Sequence, residues 1–140
     1  MSVLGINHVT IIVRDMTRTA QLFVDALEAE EMYRSSEKEY SKYPEVFLRL
    51  GEIWLVVMQD RDAKRPRTYD HFAFSIDASR IDEFRDRLKK AGAEVVPSRP
   101  RISAEGESIY FYDFDDHLFE LHTGDLSMRL RNYLAARNKV

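Results

Sequence analysis

The sequence predicts an α+β fold built from two modules, each with the element order β-α-β-β-β. This order occurs twice in the chain, at a spacing of about 60 residues. Each copy opens with a strand that carries one histidine, His8 in the first copy and His71 in the second. With 140 residues and 44 % hydrophobic side chains, the chain is long enough for two small halves with a core. The repeat therefore predicts two related modules, followed by a terminal helix.

The first module is expected to span residues 1–58. Its predicted elements are a strand (6–13), a helix (16–27), a second strand (30–36), a polar loop (37–44) and a hairpin of two strands (46–50 and 53–58). Asp15 precedes the helix and has the side chain of a good N-cap, and the apolar stripe of the helix includes Phe23 and Leu27. Gly51-Glu52 is a short turn that suits a hairpin.

The second module is expected to span residues 69–123, after a charged linker over 59–68. Its predicted elements are a strand (69–76), a helix (79–91), a strand (94–97), a loop (98–107) and a hairpin whose strands are 109–112 and 118–122. Ser79 is the expected helix cap, and Gly92 is expected to end that helix. The last segment, 124–140, contains leucines at i, i+4 spacing and predicts a final helix.

Composition argues against several classes of function. The net charge is −3, which gives no general attraction to nucleic acid. The sequence contains no cysteine, so it has no disulfide framework, no thiolate metal site and no cysteine nucleophile. It contains no stretch of 18 apolar residues, and its N-terminus does not resemble a signal peptide. We therefore expect a cytoplasmic protein that has no membrane segment.

The last strand of the second hairpin carries the strongest signal for chemistry. Glu120 lies in its middle between bulky apolar residues, where a carboxylate is costly to bury unless something pairs with it. Because side chains alternate along a strand, Leu118, Glu120 and His122 share one face. His8 and His71 occupy matching positions in the two modules, although a lone histidine on a strand is more often an ordinary residue. Together, His8, His71 and Glu120 predict a site for a divalent metal.

The repeat also suggests that only one module supplies a carboxylate ligand. Matching residues 51–55 with 116–120 places Glu120 opposite Leu55 of the first module. Three ligands leave coordination positions open, as a catalytic metal needs and a structural metal does not. The predicted site is therefore catalytic.

Other residues near these positions have ordinary interpretations. His117 is expected in a turn, facing solvent, and His122 is expected to hydrogen-bond beside the metal rather than to bind it. Trp54 is by default a packing aromatic. Arg129 is by default a solvated helix charge, and Glu45 an exposed loop carboxylate.

The motifs resemble those of a known superfamily. The segments that carry the resemblance are GINHVTIIVRD, YDHFAF, RPR and GESIYFYDFDDHLFELHTGDL, which together reach over nearly the whole chain. They are similar to the vicinal-oxygen-chelate superfamily, which includes glyoxalase I, extradiol dioxygenases and antibiotic-resistance proteins. Within it, the chain most resembles the epoxide-hydrolase branch of the fosfomycin-resistance proteins. The resemblance implies a vicinal-oxygen-chelate fold in which two βαβββ modules form a metal-containing cup, paired in a homodimer.

The resemblance also implies roles for individual residues. The family's metal ligands fall on His8, His71 and Glu120. Its substrate contacts fall on Thr10, Trp54, Ser108, Tyr110 and Arg129. Its general-base carboxylate falls on Glu45, and its metal is expected to be Mn(II). A family lysine that helps to hold the phosphonate is not evident, and Arg99 or Arg101 would replace it.

The implied reaction is hydrolysis of the epoxide of fosfomycin, a small molecule that also bears a phosphonate. The metal would bind a phosphonate oxygen and the epoxide oxygen and act as a Lewis acid. Glu45 would take a proton from the attacking water. In the implied homodimer, His8 comes from one subunit, and His71 and Glu120 come from the other.

Three other functions remain open. Thiol transfer to the same epoxide, with glutathione as the nucleophile, is favoured by residues 103–108 (SAEGES). This loop resembles a potassium-binding loop of the glutathione-using relatives and lacks an arginine expected just before Ser108 in the hydrolases, whereas Glu45 disfavours the transfer. A non-catalytic drug-binding protein would not be expected to retain two histidines and a glutamate. A housekeeping enzyme of this fold could act on another phosphonate or diol, since fold and metal site do not specify the substrate.

Overall fold

The computed structural model describes residues 2–37, 39–100 and 105–138. The chain forms two compact units, Met1–Pro66 with Lys90–Gly92 and Arg67–Lys89 with Ala93–Val140. The elements of the first half are β1 (His8–Val13), α1 (Met16–Leu27), β2 (Glu30–Arg34), β3 (Glu45–Leu50) and β4 (Ile53–Gln59). Those of the second half are β5 (His71–Ser75), α2 (Ile81–Lys90), β6 (Glu94–Val96), β7 (Ser108–Tyr112), β8 (Leu118–His122) and α3 (Leu126–Arg137).

Each unit holds one four-stranded mixed sheet. The strand orders are β1-β4-β3-β2 and β5-β8-β7-β6. In both sheets the first strand pairs parallel with the last, and the remaining pairs are antiparallel. The two sheets share one topology, so the predicted α+β architecture of two βαβββ modules is confirmed.

The core of the first unit lies between its sheet and α1. Ile11 of β1 and its β4 partner Val57 are buried on one face of the sheet, and Phe23 of α1 is fully buried as well. Asp15 caps α1, as predicted, because its side chain accepts a hydrogen bond from the Arg18 N–H at 3.0 Å. The apolar stripe of α1 therefore covers the sheet in the way that its periodicity predicts.

The second unit combines an aromatic core with a helix start that differs from the predicted one. The ring of Phe119 stacks between those of Phe74 and Phe111, at centroid distances of 5.8 and 5.4 Å. The predicted cap at Ser79 is wrong, because Asp77 accepts the Ser79 N–H at 2.8 Å and begins a 3-10 turn that leads into α2. Both residue types cap helices well, and the chain turns helical two residues earlier than the apolar pattern indicates.

The last strands of the two sheets match differently from the alignment of their sequences. Two residues beyond each first-strand histidine, the neighbouring strand contributes Val56 in the first sheet and Glu120 in the second. The predicted match of Glu120 to Leu55 is therefore wrong by one residue. Because successive side chains alternate, an offset of one residue changes the face of the sheet. Leu55 is buried on the α1 side of its sheet, whereas Glu120 shares a face with His71.

The length of the hairpin turn explains this offset. The equivalent cross-strand pairs that flank the turns are Arg49 with Trp54 and Tyr112 with Leu118. The connecting segment is one residue longer in the second unit (113–117) than in the first (50–53). Each turn contains one residue with a positive φ, Gly51 at 60° and Asp116 at 65°. Aspartate tolerates this backbone region better than most residues, which allows the longer turn without a glycine.

The terminal helix α3 starts at an aspartate and leaves much of its apolar surface uncovered. The Asp125 side chain accepts the Met128 N–H at 2.7 Å. The predicted row of leucines is present, but Leu130 and Leu134 are each about half exposed. In the part of the chain that the structure describes, no helix has both the length and the apolar character needed to cross a bilayer.

Candidate metal centre

One face of the second sheet collects five side chains of interest. They are His71, Ser108, Tyr110, Glu120 and His122. Directly paired residues on neighbouring strands point to the same side, so the register alone brings these groups together. All but His71 are buried, which means that their polar atoms must find partners within the protein or in a ligand.

His71 and Glu120 turn two hydrogen-bond acceptors toward each other. The Nε2 atom of His71 lies 3.1 Å from Oε1 of Glu120. The Nδ1 atom of His71 lies 2.6 Å from the backbone carbonyl oxygen of Tyr69, which can only accept, so Nδ1 carries the proton. The lone pair of Nε2 then faces a carboxylate oxygen, and the pair is satisfied when a cation, either a proton or a metal ion, lies between them. Metal-bound histidines commonly donate their second N–H to a backbone carbonyl in this manner.

A chain of hydrogen bonds leads from Arg129 to Glu120. Arg129 donates from Nη2 to Nε2 of His122 at 3.2 Å, and His122 contacts the Ser108 hydroxyl through Nδ1 at 2.7 Å. The Ser108 hydroxyl in turn donates to Oε2 of Glu120. Because arginine can only donate and a carboxylate can only accept, each of these bonds has a defined direction toward Glu120. The network therefore fixes the orientation of the Glu120 carboxylate.

Arg129 and Arg99 converge on a carboxylate that sequence reasoning missed. Glu105 is only 1 % exposed, forms an ion pair with Arg99, and places Oε1 3.7 Å from Nε of Arg129. The Tyr133 hydroxyl donates to the same oxygen at 2.6 Å. Hydrogen bonding to Glu105 raises the pKa of Arg99 above its ordinary value. The default interpretation of Arg129 as a solvated helix charge is therefore wrong.

His117 also differs from its expected place. The prediction that it faces solvent from a turn is wrong, because the residue is 6 % exposed. Its Nδ1 atom lies 2.7 Å from Oδ2 of Asp113, and its backbone N–H donates to Oδ1 at 2.8 Å. Asp113 also accepts the Asp115 N–H at 3.0 Å. The cluster of aspartates thus organises the turn from the inside, since one buried carboxylate collects its N–H groups.

The first unit also gathers its candidates on one face of its sheet. They are His8, Thr10, Glu45 and Trp54. The rings of His8 and Trp54 lie 4.5 Å apart, and Trp54 is 38 % exposed, more than a core packing residue would be. Nδ1 of His8 lies 2.7 Å from the amide oxygen of Asn7, which leaves Nε2 as the acceptor atom of that ring.

Glu45 is the first residue of β3 and is only 5 % exposed, so its default interpretation as an exposed loop carboxylate is wrong. Its backbone is anchored by Ser35, whose hydroxyl accepts the Glu45 N–H at 2.9 Å and whose N–H donates to the Glu45 carbonyl at 2.9 Å. Among the described residues, no side chain donates a hydrogen bond to the Glu45 carboxylate. The carboxylate oxygens therefore keep their capacity to accept a proton or a water.

The predicted ligands come from both units. His71 and Glu120 belong to the second unit, and His8 belongs to the first. Within residues 2–37, 39–100 and 105–138, no group of three or more His, Asp or Glu side chains lies close enough to hold a metal ion. Arg101, one of the two predicted phosphonate contacts from the loop, lies outside the described residues.

Known proteins match this chain over most of its length. Residues 5–121 match the sequence profile of the glyoxalase/bleomycin resistance protein/dioxygenase superfamily. The fosfomycin resistance protein FosX of Listeria monocytogenes serovar 1/2a is 43 % identical over 129 residues, which cover 92 % of this chain and 96 % of that protein. The metallothiol transferase FosB of Shouchella clausii is 38 % identical over 133 residues, covering 92 % and 86 %.

A crystal structure gives the same result for the fold. It contains a Glu-to-Gln variant of Listeria monocytogenes FosX in complex with Mn(II) and 1S,2S-dihydroxypropylphosphonic acid. It matches this chain with a TM-score of 0.83 and 42 % identity, covering 94 % of this chain and 98 % of that one. The chain therefore belongs to the glyoxalase/bleomycin resistance protein/dioxygenase superfamily and, within it, to the family of the FosX proteins.

Proposed function

We propose that this protein is a Mn(II)-dependent epoxide hydrolase that opens the antibiotic fosfomycin with water in the cytoplasm. The observation that carries the proposal is the pair of His71 and Glu120, whose acceptor atoms face each other at 3.1 Å on a sheet face lined with further polar groups. The FosX variant of known structure is complexed with Mn(II) and a dihydroxypropylphosphonic acid. Such a diol is what the addition of water to the epoxide of fosfomycin produces.

The donor set of this chain fits a divalent first-row metal. The proposed ligands are His8, His71 and Glu120. Each histidine has Nδ1 engaged with an oxygen acceptor, the side chain of Asn7 for His8 and the carbonyl of Tyr69 for His71, so each offers Nε2. Two imidazoles and one carboxylate leave positions open for substrate oxygens. When bound, Mn(II) supplies a Lewis acid for the epoxide oxygen as the ring opens.

The phosphonate requires positive charge and fixed hydrogen-bond donors. The groups proposed to supply them are Thr10, Trp54, Arg99, Arg101, Ser108, Tyr110 and Arg129. Arg129 is held by His122 at 3.2 Å and by the nearby Glu105, so few of its rotamers remain accessible. Hydrogen bonds from a guanidinium to an anionic oxygen are about twice as strong as those between neutral groups. Arg129 is therefore the main proposed anchor of the phosphonate.

Glu45 is the proposed general base. It takes a proton from a water molecule as that water attacks a carbon of the epoxide ring. The bond between that carbon and the epoxide oxygen breaks, and the oxygen becomes the second hydroxyl of the diol after it gains a proton. The buried position of Glu45 supports this role, as does the accepting capacity of its oxygens. General-base assistance of this kind typically contributes ~10²–10⁴-fold to the rate.

The proposal includes a homodimer whose metal site is shared between subunits. His8 would come from one subunit, and His71 and Glu120 from its partner. The exposure of Val3 and Leu4 at the N-terminus, 77 % and 91 %, supports an interface that covers this region.

Mixed dimers test the shared site directly. A His8→Ala chain and a Glu120→Ala chain are each expected to be inactive. Co-expression with two different tags would allow the heterodimer to be purified, and it would retain one intact site. Recovered hydrolysis supports sharing, whereas a verified heterodimer without activity would contradict it.

Thiol transfer to fosfomycin is the second candidate function. The 38 % identity to a metallothiol transferase and the loop over 103–108 favour it. The two reactions differ only in the nucleophile, because the metal and the phosphonate contacts serve both. A thiol needs no carboxylate base at Glu45, so the buried Glu45 favours water.

Phosphorus NMR separates the two candidates. Purified protein with Mn(II) would be incubated with fosfomycin, first without a thiol and then with glutathione. A diol signal in the first tube establishes hydrolysis. An adduct that forms only in the second tube establishes thiol transfer instead. Unchanged fosfomycin in both tubes would contradict both functions and leave a metal site that acts on another substrate.

A further inference from the structure

Glu105 is a fully buried carboxylate of the second unit that the proposed reaction does not use. It lies in the loop before β7 and is 1 % exposed. A charged carboxylate in such a place is costly unless cations and donors compensate it. Its burial is therefore a feature that the surrounding residues must maintain.

Two glycines seat the backbone of Glu105 against the end of β8. A Cβ atom on Gly124 would lie 2.6 Å from the carbonyl oxygen of Glu105 and 2.9 Å from Nε2 of His122. A Cβ atom on Gly106, whose φ is 99°, would lie 2.9 Å from the backbone nitrogen of Gly124. Only glycine permits these approaches, so the backbone of Glu105 is held at a set distance from His122.

The partners of the Glu105 carboxylate come from two separate segments. Arg99 lies between the end of β6 and Glu105, whereas Arg129 and Tyr133 belong to α3. Arg129 uses Nε toward Glu105 and Nη2 toward His122, so one guanidinium bridges Glu105 and the network that ends at Glu120. The planar guanidinium has little freedom when it is held from both sides.

We propose that Glu105 is a positioning residue for the anionic group of the substrate: its carboxylate holds the guanidinium groups of Arg99 and Arg129 in the orientation in which they bind phosphonate oxygens. This rests on the proposed function, in which these two arginines contact the phosphonate. Glu105 itself touches neither the substrate nor the metal.

The charge of Glu105 and its positioning role predict opposite changes in anion affinity when the residue is removed. Glu105 lowers the positive charge of the pocket, so its removal would strengthen the binding of an anion if charge alone mattered. Its removal also releases two long side chains, and ordering them again during binding would weaken affinity. The sign of the change in affinity therefore distinguishes the two effects.

Calorimetric titration with methylphosphonate tests the proposal on the Mn(II)-loaded protein. The variants are Glu105→Gln, which keeps shape and removes charge, and Glu105→Asp, which keeps charge and withdraws the carboxylate. Glu107→Gln is the matched control, because Glu107 is an exposed carboxylate of the same loop. We expect Kd to rise ~10-fold or more in both Glu105 variants, since small misplacements of positioning groups have effects of this size or larger. The control is expected to stay within about twofold of the parent.

Two outcomes would overturn the proposal. One is a Glu105→Gln protein that binds methylphosphonate as tightly as the parent, or more tightly. The other is a Glu105→Asp protein with unchanged Kd, which would show that position has no role. If Glu105→Gln fails to fold, Glu105→Asp alone decides between these results. Mn(II) affinity, measured in the same samples, is expected to change less than the Kd for methylphosphonate, because Ser108 still donates its hydrogen bond directly to Glu120.

A double-mutant cycle with Arg129→Lys tests whether Glu105 acts through Arg129. Lysine keeps the charge but not the fork of donors, so Glu105→Gln is expected to have a smaller effect in that background, and the effect that remains is the one that acts through Arg99. Full additivity of the two changes would overturn the proposed route. Failure of the proposed function is seen separately, as intact fosfomycin with the parent protein, and the methylphosphonate titrations still test Glu105 in that case.

Discussion

The two sheets have the same strand order and a histidine at the same position, yet their polar faces are prepared in different ways. In the first sheet, His8 and Thr10 are exposed, and His8 contacts the side chain of its neighbour Asn7 and the ring of Trp54. In the second sheet, Glu120 and Ser108 are buried and belong to a directed chain of hydrogen bonds. One unit presents its proposed metal ligand on an open surface, and the other holds its proposed ligand in place with hydrogen bonds. The comparison indicates that preorganisation was built into only one copy of the repeat.

The largest expected effect comes from removing one proposed metal ligand in each unit. His8→Ala and Glu120→Gln are each expected to lower kcat/KM by ~10³ or more, because the metal supplies several kcal/mol of transition-state stabilisation. Only Glu120→Gln should also change the thermal stability of the metal-free protein, since His8 has no buried network. Kinetics, Mn(II) titration and melting curves measure these effects, with the exposed Glu52→Gln as a control. An active His8→Ala protein would show that the first unit supplies no ligand that the reaction needs.

The second expected effect concerns the buried carboxylate of the first unit. Glu45→Gln should lower the rate of hydrolysis by ~10²–10⁴-fold and leave Mn(II) affinity unchanged, because the role proposed for the residue is to take a proton from water and not to bind the metal. Glu30→Gln, an exposed carboxylate of the same unit that pairs with Arg49, is the control. A Glu45→Gln protein with parental hydrolysis would remove Glu45 from the mechanism and leave the first unit with His8 alone.

The third effect compares one hydroxyl in each unit. Ser108→Ala leaves Glu120 and His122 buried without a shared partner, which is expected to cost about 1–3 kcal/mol of stability in the metal-free protein. Thr10→Ala, at an exposed position, should stay within about 0.5 kcal/mol of the parent. Chemical denaturation measures both values. Equal losses in the free energy of unfolding at the two positions would show that the difference between the faces does not affect stability.

The smallest effects are expected at the N-caps of α1 and of the 3-10 turn that leads into α2. Asp15→Ala should destabilise the protein by about 1 kcal/mol, as is usual for loss of an N-cap. Asp77→Asn should have a smaller, pH-dependent effect. Hydrogen bonds from Ser79 hold the pKa of Asp77 below its ordinary value of 3.8, so its charge stabilises the fold above that pH and loses this contribution as the pH falls through the lower, folded-state pKa. Melting curves of parent and variant should therefore differ at pH 7 and converge in strong acid.

Much of the fold was predictable because it depends on local patterns. The alternation of apolar residues predicts the strands, and Asp15 marks the start of α1 by capping chemistry alone. The match of Glu120 to Leu55 failed, because it depended on a turn whose length the pattern does not reveal. Ser79 failed as a cap because a second capping residue, Asp77, stands two positions earlier, and propensity does not choose between them.

The candidate site was predictable only where residues lie on strands. Alternation predicted the shared face of Glu120 and His122, and the repeat predicted the matching positions of His8 and His71. Ser108 was implied only by the family resemblance, because the predicted strand began one residue after it. Glu105 lies in a loop without periodicity, and its burial depends on Gly124 and Arg129, which lie much further along the chain, as well as on the nearby Arg99 and Gly106. His117 was misplaced for a similar reason, since the burial of a turn depends on what packs over it.

The extra residue in the 113–117 turn has a consequence for how such proteins change over time. The first unit makes the equivalent pair, Arg49 with Trp54, across a turn that is one residue shorter. The turn can therefore change in length while the strands that flank it keep their pairing and their side chains keep their faces. An alignment of the two modules without a gap then matches residues that point to opposite faces of the sheet. Comparisons of duplicated modules should therefore place the gap in the turn before residues of the last strands are matched.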